Sequence, residues 1–260
     1  MLASTYLGIT GRQTHPLDKE EPMQGITERL EENPLRKELI HHPFFKEVRI
    51  SDLTREQVGV FLGQWWHPLH YFPNFLSRTI DQVPVLEMKT AICQILHEEL
   101  GEGDPARAHE RVYITTMQDA GFDRATVAEA PPFEETRRLV QRYEEASAER
   151  LSALGFVYGT EVADLAMVAG IGNAVRRVSG MQTLPWVDIH IEQEPGHVDS
   201  ANEALEAGFA PQEFDSIVAS AEEMWRLWIA FFDRLRLVMF GDEELPEAPV
   251  GALVGDPATV

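Results

Sequence analysis

Two histidines and a carboxylate stand at helical spacing in the segment LPWVDIHIEQEPGH. His190, Glu194 and His197 occupy positions i, i+4 and i+7, which places their side chains on one face of a helix. Two imidazoles and a carboxylate in this arrangement suit iron, manganese or zinc. The alternative is the polar outer face of an amphipathic helix, but Trp186 lies on the same face. Pro195 is expected to kink this helix or to leave it to order when metal binds, because proline disfavours a helix interior.

A second group of candidate ligands lies around a Gly-rich break in the segment HEELGEGDPARAH. Glu99 ends one predicted helix, and His109 lies one turn into the next. The break allows the two helices to converge, so Glu99 and His109 are predicted to reach one ion. Glu102 is an alternative to Glu99 as the carboxylate ligand, whereas His97 and Glu98 are expected to face solvent. Charge near a helix end is common and usually structural, so this group alone is a weak indication.

The third candidate is Glu161, which interrupts the apolar segment GFVYGTEVADLAM. A carboxylate on an apolar helix is costly unless it is paired or bound to metal. The alternative is an exposed glutamate on a polar stripe that continues at Asp164. The combined set of nitrogen and oxygen donors, without a thiolate, matches a dinuclear iron site and points away from structural zinc. The set is Glu99, His109, Glu161, His190, Glu194 and His197.

The elements that must position these residues are helices almost throughout. Apolar residues recur at helical spacing, and no alternating strand pattern, fixed repeat or Gly/Ser linker interrupts them. The pattern predicts an all-α, single-domain bundle of seven or eight helices, whose core is a usual place for metal sites. Residues 1–22 are predicted to form an N-terminal arm, 23–240 the helical domain, and 241–260 an acidic Pro/Gly-rich tail. The main helices are expected near 24–41, 57–80, 84–100, 105–120, 133–154, 158–178, 184–207 and 211–240.

Composition narrows the class of protein. The 260 residues carry a formal net charge of −21, which disfavours binding to nucleic acid and to anionic membrane surfaces. The single cysteine, Cys93, rules out an internal disulfide framework and is predicted to be buried. We see no signal peptide and no continuous apolar stretch near 18 residues, so a cytoplasmic enzyme or binding protein is expected.

The three motifs together resemble the haem-oxygenase-like diiron oxidase and oxygenase family, which is similar in fold to the PqqC and TenA proteins. The matching segments are HEELGEGDPARAH, GFVYGTE and HIEQEPGH, with HHPFF and QWWHPLHYFP before them. The resemblance spans roughly residues 35–235 and marks the six residues above as iron ligands. Glu194 departs from the pattern, because the family more usually has aspartate there.

The resemblance implies two iron ions cycling between Fe(II) and Fe(III), dioxygen as cosubstrate and a homodimer. Within that family, a peroxo-bridged diferric species acts on a small-molecule substrate, and an external electron donor can re-reduce the irons. N-oxygenation of a small amine or amino-acid-like substrate in natural-product biosynthesis is favoured. Oxidative C–C cleavage or decarboxylation of an amino or fatty acid is the alternative. The residues predicted to line the substrate pocket are Trp66, His67, His70 and Tyr158.

Two other interpretations stay open at this point, and a third is disfavoured. A ferritin-like protein would use Glu38/His41 and Glu194/His197 as two Glu-x-x-His pairs. A metal-free, PqqC- or TenA-like metabolite-binding protein would need none of the six ligands. Haem oxygenase is disfavoured, because the early histidines His41 and His42 abut a proline. The ligand types admit manganese as well as iron.

Overall fold

The computed structural model describes residues 25–206 and 209–241, except for some side chains between 194 and 211. Within those residues there are eleven α-helices, a short 3-10 turn at Pro105–Arg107 and no β-strand. The all-α prediction is therefore confirmed. The helices are α1 (Ile26–Glu31), α2 (Pro34–Ile40), α3 (Pro43–Ile50), α4 (Arg55–Gln82), α5 (Leu86–Glu99), α6 (His109–Asp119), α7 (Arg124–Ala128), α8 (Glu134–Ala146), α9 (Arg150–Ser179), α10 (Pro185–Glu206) and α11 (Pro211–Phe240). The predicted arm, and the predicted tail beyond Gly241, lie outside the described residues.

The helices outnumber the predicted seven or eight because a capped turn divides the first predicted helix and because two short helices, α3 and α7, lie outside the predicted ones. The side chain of Asn33 accepts a hydrogen bond from the Leu35 amide, so a new helix begins at Pro34. The Nδ1 of His42 caps α3 in the same way. A side-chain cap followed by proline at the first helical position is a standard helix start.

Helix α9 corrects the prediction of two helices separated near residue 155. It is one helix of 30 residues. The break in the chain comes earlier, between α8 and α9, where the Glu149 side chain caps the Leu151 and Ser152 amides. Gly155 does not end the helix; it allows α11 to approach. A Cβ at this position would lie 2.5 Å from the carbonyl oxygen of Ile217, closer than real contacts allow.

The long helix α9 forms the centre of the fold, with α10 and α11 packed along it. By length and hydropathy α9 is the one described helix that could cross a membrane, but 78% of its most apolar window is buried inside the protein. Its apolar character therefore agrees with a central position in the core. Helix α4 also packs against α9 and runs through Pro68 and Pro73 without a break.

Cys93 lies on α5 and is exposed, so the prediction that it is buried was wrong. The buried residues of α5 include Met88, Ile92, Ile95 and Glu99, at intervals of three or four residues. Cys93 lies off this face, since the helical period directs it away from the core. The same face carries Glu99 toward the interior at the end of the helix.

Candidate metal centre

Five of the six predicted ligands converge in the core from four helices. Glu99 ends α5, His109 begins α6, Glu161 lies in α9, and α10 carries both His190 and His197. Each of these five residues is at most 5% exposed. The side chain of the sixth, Glu194, is outside the described part of the structure. Ionisable residues are rarely buried this deeply unless they are paired or coordinate metal.

Glu99, His109 and His190 form the first half of the cluster. Each offers one ligand atom, and these three atoms lie within 4.8 Å of one another. The His109 Nδ1 is 3.2 Å from the Glu99 Oε1, and the ring centroids of His109 and His190 are 4.7 Å apart. The Nδ1–H of His190 donates to the Trp186 carbonyl at 2.7 Å, which leaves its Nε2 for a metal.

Glu161 and His197 form the second half. The His197 Nδ1 lies 3.2 Å from the Glu161 Oε2, and its Nε2 lies 2.8 Å from the Glu98 Oε2. Glu98 was expected to face solvent, but its side chain is only 16% exposed because α10 covers the last turn of α5. The expectation for Glu98 was wrong, and sequence spacing gave no signal of its contact with His197.

The turn between α5 and α6 is what brings Glu99 to His109. Gly101, Glu102 and Gly103 all have positive φ, of 86°, 55° and 90°. The Asp104 side chain then caps the 3-10 turn at the Ala106 amide. Glu102 does not join the cluster, since its carboxylate pairs with Arg107 at 2.7 Å on the surface.

Several polar atoms of the cluster have no hydrogen-bond partner. The Glu99 Oε2 and the Glu161 Oε1 are buried without a hydrogen-bond partner, and the His109 Nδ1 makes no well-aligned hydrogen bond although it lies 3.2 Å from the Glu99 Oε1. An unsatisfied buried polar group costs about 1–3 kcal/mol, and more when it is charged. A divalent cation accepts lone pairs from carboxylate oxygens and neutral imidazole nitrogens, so these atoms fit metal ligation.

The electrostatics of the cluster favour a charged Glu99 carboxylate. Burial by itself raises the pKa of Glu99, but the nearby imidazoles, of which His109 is the most important, lower it to about 2. Burial and the His109 charge lower the pKa of His190 to about 4. Burial also opposes the charge on His197, but Glu161, Glu99 and Glu98 raise its pKa to about 10. Metal binding at His197 would therefore displace a proton, whereas the low pKa of His190 keeps its ring neutral.

A cavity of about 40 Å³ adjoins the cluster. By the usual allowance of about 10–15 Å³ per water, it has room for about three waters. Acids and aromatic rings dominate the lining, and no lysine or arginine is among the described lining residues. The lining comprises Trp65, Pro68, Leu69, Phe72, Glu99, Tyr143, Thr160, Glu161, Asp164, Trp186, His190, His197 and Trp228.

The four residues predicted to line a substrate pocket, Trp66, His67, His70 and Tyr158, lie outside the lining of this cavity. His67 Nε2 is 2.9 Å from the Ala130 carbonyl oxygen, and the half-exposed His70 pairs with Glu110 at 2.7 Å. Trp66 stacks on His70, and the Tyr158 hydroxyl is directed at the backbone of Thr27.

The helical period explains why three of the predicted pocket residues, all on α4, do not border the cavity. Trp65, Pro68, Leu69 and Phe72 follow one another at i, i+3, i+4 and i+7, and this face borders the cavity. Trp66, His67 and His70 lie on the flanking faces. This periodicity was the available signal, and it identifies Trp65 rather than Trp66 as a lining residue.

An ordered polar network supports the far wall of the cavity. The Trp228 Nε1–H donates to the Tyr143 hydroxyl at 3.2 Å, and Tyr143 is hydrogen-bonded to Thr160. Thr160 donates in turn to the Phe156 carbonyl, so Tyr143 must donate to Thr160. The Tyr143 hydroxyl is thus fully engaged, and burial, the largest influence, raises its pKa.

The early histidines do not contribute to a core site. Glu38 and His41 are exposed, which removes the first Glu-x-x-His pair of the ferritin-like reading. His42 is buried, but its Nδ1 caps the Phe44 amide and its Nε2 lies 3.3 Å from Asp233. These contacts occupy both nitrogens of His42.

Comparisons with known proteins agree with this geometry. Residues 60–229 match the sequence profile of a family described as "Iron-containing redox enzyme". No curated protein sequence has a significant match to the chain.

Among solved structures, a CADD-like protein of unknown function from Nostoc punctiforme PCC 73102 has a TM-score of 0.67 at 14% identity, covering 81% of this chain and 93% of that one. A domain of unknown function with a heme oxygenase-like fold from Shewanella denitrificans OS217 has a TM-score of 0.63 at 20% identity, covering 80% and 90%. A TenA homolog from Pseudomonas syringae pv. tomato DC3000 has a TM-score of 0.65 at 12% identity, covering 85% and 99%. These likenesses show a haem-oxygenase-like fold.

Proposed function

Because this chain belongs to the family of iron-containing redox enzymes, we propose that it is a non-haem diiron, dioxygen-dependent oxygenase or oxidase. The observation that carries the proposal is the pair of buried carboxylate–histidine groups with unpartnered ligand atoms. Glu99, His109 and His190 would hold one iron. Glu161 and His197 would hold the second, together with Glu194.

The residues of the chain have distinct tasks in this proposal. When bound, two ferrous ions supply the electrons that reduce dioxygen. The carboxylates offset the positive charge of the metals, and the aromatic wall formed by Trp65, Trp186 and Trp228 excludes bulk water. Trp186 also fixes the ring of His190 through its carbonyl and by ring contact at 4.4 Å.

We propose a small amine as the substrate class, with N-oxygenation as the favoured reaction. Apart from the proposed metal ligands, the cavity lining consists mainly of aromatic rings together with Asp164, a combination that favours a cationic group over a carboxylate. The cavity accepts dioxygen or the reacting end of a substrate, and the half-buried Asp164 is placed to pair with an ammonium group at its edge. Oxidative C–C cleavage or decarboxylation of an amino or fatty acid is the second candidate, and the absence of a cation among the described lining residues disfavours it.

A metal-free metabolite-binding role is the remaining alternative. It is favoured only by the fold, which TenA homologues share. It leaves the buried, unpartnered oxygens of Glu99 and Glu161 without an explanation. The homodimer, the cytoplasmic location, the external electron donor and the setting in natural-product biosynthesis all stay predictions.

Anaerobic loading with Fe(II) tests the proposed function directly. We expect about two irons per chain by metal counting, because the ligand atoms form two groups. Mixing the loaded protein with dioxygen in a stopped-flow instrument should produce a transient long-wavelength absorption band, and the true substrate should change the rate of its formation or decay. Absence of stoichiometric metal, or metal inert to dioxygen, would favour the metal-free alternative. Manganese loading in parallel tests the choice of metal.

Tryptophan emission offers a test of the substrate class that needs no metal. Three tryptophans line the cavity, so we expect small amines to change the emission saturably and matched carboxylic acids not to do so. Trp228→Phe should reduce the response, whereas Trp66→Phe, outside the cavity, should preserve it. Asp164→Asn should weaken amine affinity by about two- to fivefold, as expected for a partly exposed ion pair. Its control is Glu192→Gln, at an exposed position of α10. Saturable binding of acids in preference to amines would contradict the amine assignment.

A further inference from the structure

The two nitrogens of His197 face two different carboxylates. Its Nε2 lies 2.8 Å from the Glu98 Oε2, and its Nδ1 lies 3.2 Å from the Glu161 Oε2. A metal-bound histidine almost always donates its second ring N–H to a carboxylate, a carbonyl or water. One of the two carboxylates therefore lies on the metal side of the ring, and the other lies behind it.

The hydrogen bonds of the carboxylates distinguish these two sides. Glu98 has both oxygens engaged, because its Oε1 accepts from the Gln94 side chain at 2.6 Å and its Oε2 contacts His197. Glu161 has a buried Oε1 without a hydrogen-bond partner. A carboxylate whose two oxygens already accept N–H groups is suited to hold a ring in place. One with an unpartnered oxygen is suited to bind a cation.

We propose that Glu98 is a positioning residue that holds the Nε2–H of His197 and so presents Nδ1 to the metal shared with Glu161. This inference rests on the proposed diiron function. His190 is oriented by a different contact, since its Nδ1–H donates to the Trp186 carbonyl one turn earlier on its own helix. The two histidines of α10 therefore bind metal through opposite nitrogens, Nε2 for His190 and Nδ1 for His197.

The arrangement also gives the last turn of α5 two functions. Glu99 serves there as a ligand, and its neighbour Glu98 fixes the ring of a ligand from α10. Because Glu98 and Glu99 are adjacent, a shift of α5 relative to α10 would disturb both halves of the centre together. The pairing of Glu98 with His197 thus specifies the register between these two helices.

Metal titration of the full chain tests the role of Glu98. Anaerobic Fe(II) binding should weaken in Glu98→Ala by about 10–100-fold at one of the two sites, the usual effect of losing such a partner. Glu98→Gln keeps an oxygen that accepts the Nε2–H, so it should restore most of the affinity. Glu87→Ala, an exposed acid on the same helix, is the matched control and should bind as the wild type does. Circular dichroism of each metal-free variant reports whether it folds.

A measurement on the unaltered protein makes the inference independent of any folding defect. In the zinc-loaded, ¹⁵N-histidine-labelled chain, NMR should show the proton of His197 on Nε2 and that of His190 on Nδ1. Metal bound through the Nε2 of His197 would overturn the proposal. So would wild-type affinity in Glu98→Ala, or equal loss in Glu98→Gln and Glu98→Ala, which would make Glu98 a ligand. A wild-type chain that binds no metal would instead overturn the diiron function, and the inference with it.

Discussion

Replacing His190 with alanine is expected to abolish binding at the first iron site and to remove dioxygen reactivity. His190 presents its Nε2 to Glu99 and His109 within the three-residue cluster, so its loss leaves two protein ligands for that ion. We expect affinity at this site to fall by more than about 100-fold, the upper end of the range for residues that only orient a ligand. Metal counting after anaerobic loading, followed by oxygen mixing, measures both effects.

Two histidine variants provide matched controls for this result. His70→Ala removes a half-exposed ring whose partner is Glu110, outside the cluster. His41→Ala removes an exposed ring that the ferritin-like arrangement would need as a ligand. Both variants should keep full iron content. Iron retained by His190→Ala, or iron lost from His41→Ala, would contradict the assigned ligand set.

Replacing Gly101 with alanine is expected to separate Glu99 from His109. Gly101 has a φ of 86°, and an added Cβ would lie 2.3 Å from the Asp104 carbonyl oxygen and 2.5 Å from the Ala108 amide nitrogen. Backbone strain of this kind costs about 1–3 kcal/mol in the free energy of unfolding, and the clash adds to it. The turn must open to relieve the contact, so the first iron site should be lost together with stability. Thermal unfolding and metal counting report the two consequences separately.

Gly103→Ala is the control for the Gly101 variant. Gly103 also has a positive φ, of 90°, but an added Cβ would meet nothing within 4 Å. This variant should carry the backbone strain without the clash, so it should lose some stability and keep its iron. Equal loss of iron in the two variants would contradict this account, because it would show that backbone strain alone, without a clash, is enough to separate Glu99 from His109.

The all-helical class and the segments that carry the candidate ligands could be predicted from the sequence. Helical periodicity predicts an all-α chain because the buried face of each helix requires apolar residues at intervals of three or four along the sequence. Glu99, His109, Glu161, His190 and His197 stand out because a charged or imidazole side chain within an apolar stretch is costly without a partner. The Gly-rich break between α5 and α6 could also be predicted, because glycine is the residue that adopts positive φ without steric cost, as Gly101 and Gly103 do here.

The residues that surround these candidate ligands could be identified only from the tertiary structure. Glu98 is adjacent to Glu99 and equally acidic, and only the packing of α10 against α5 places it on His197. The lining of the cavity depends on the rotation of α4 about its axis, which places Trp65 rather than Trp66 at the cavity. It also depends on the packing of α11, which contributes Trp228. Gly155 directly follows the end of the predicted helix 133–154, but it lies inside α9, and a glycine is required there because α11 packs closely against it. Local patterns specify what one segment buries, but contacts between distant segments depend on how their helices dock, and docking is a property of the whole core.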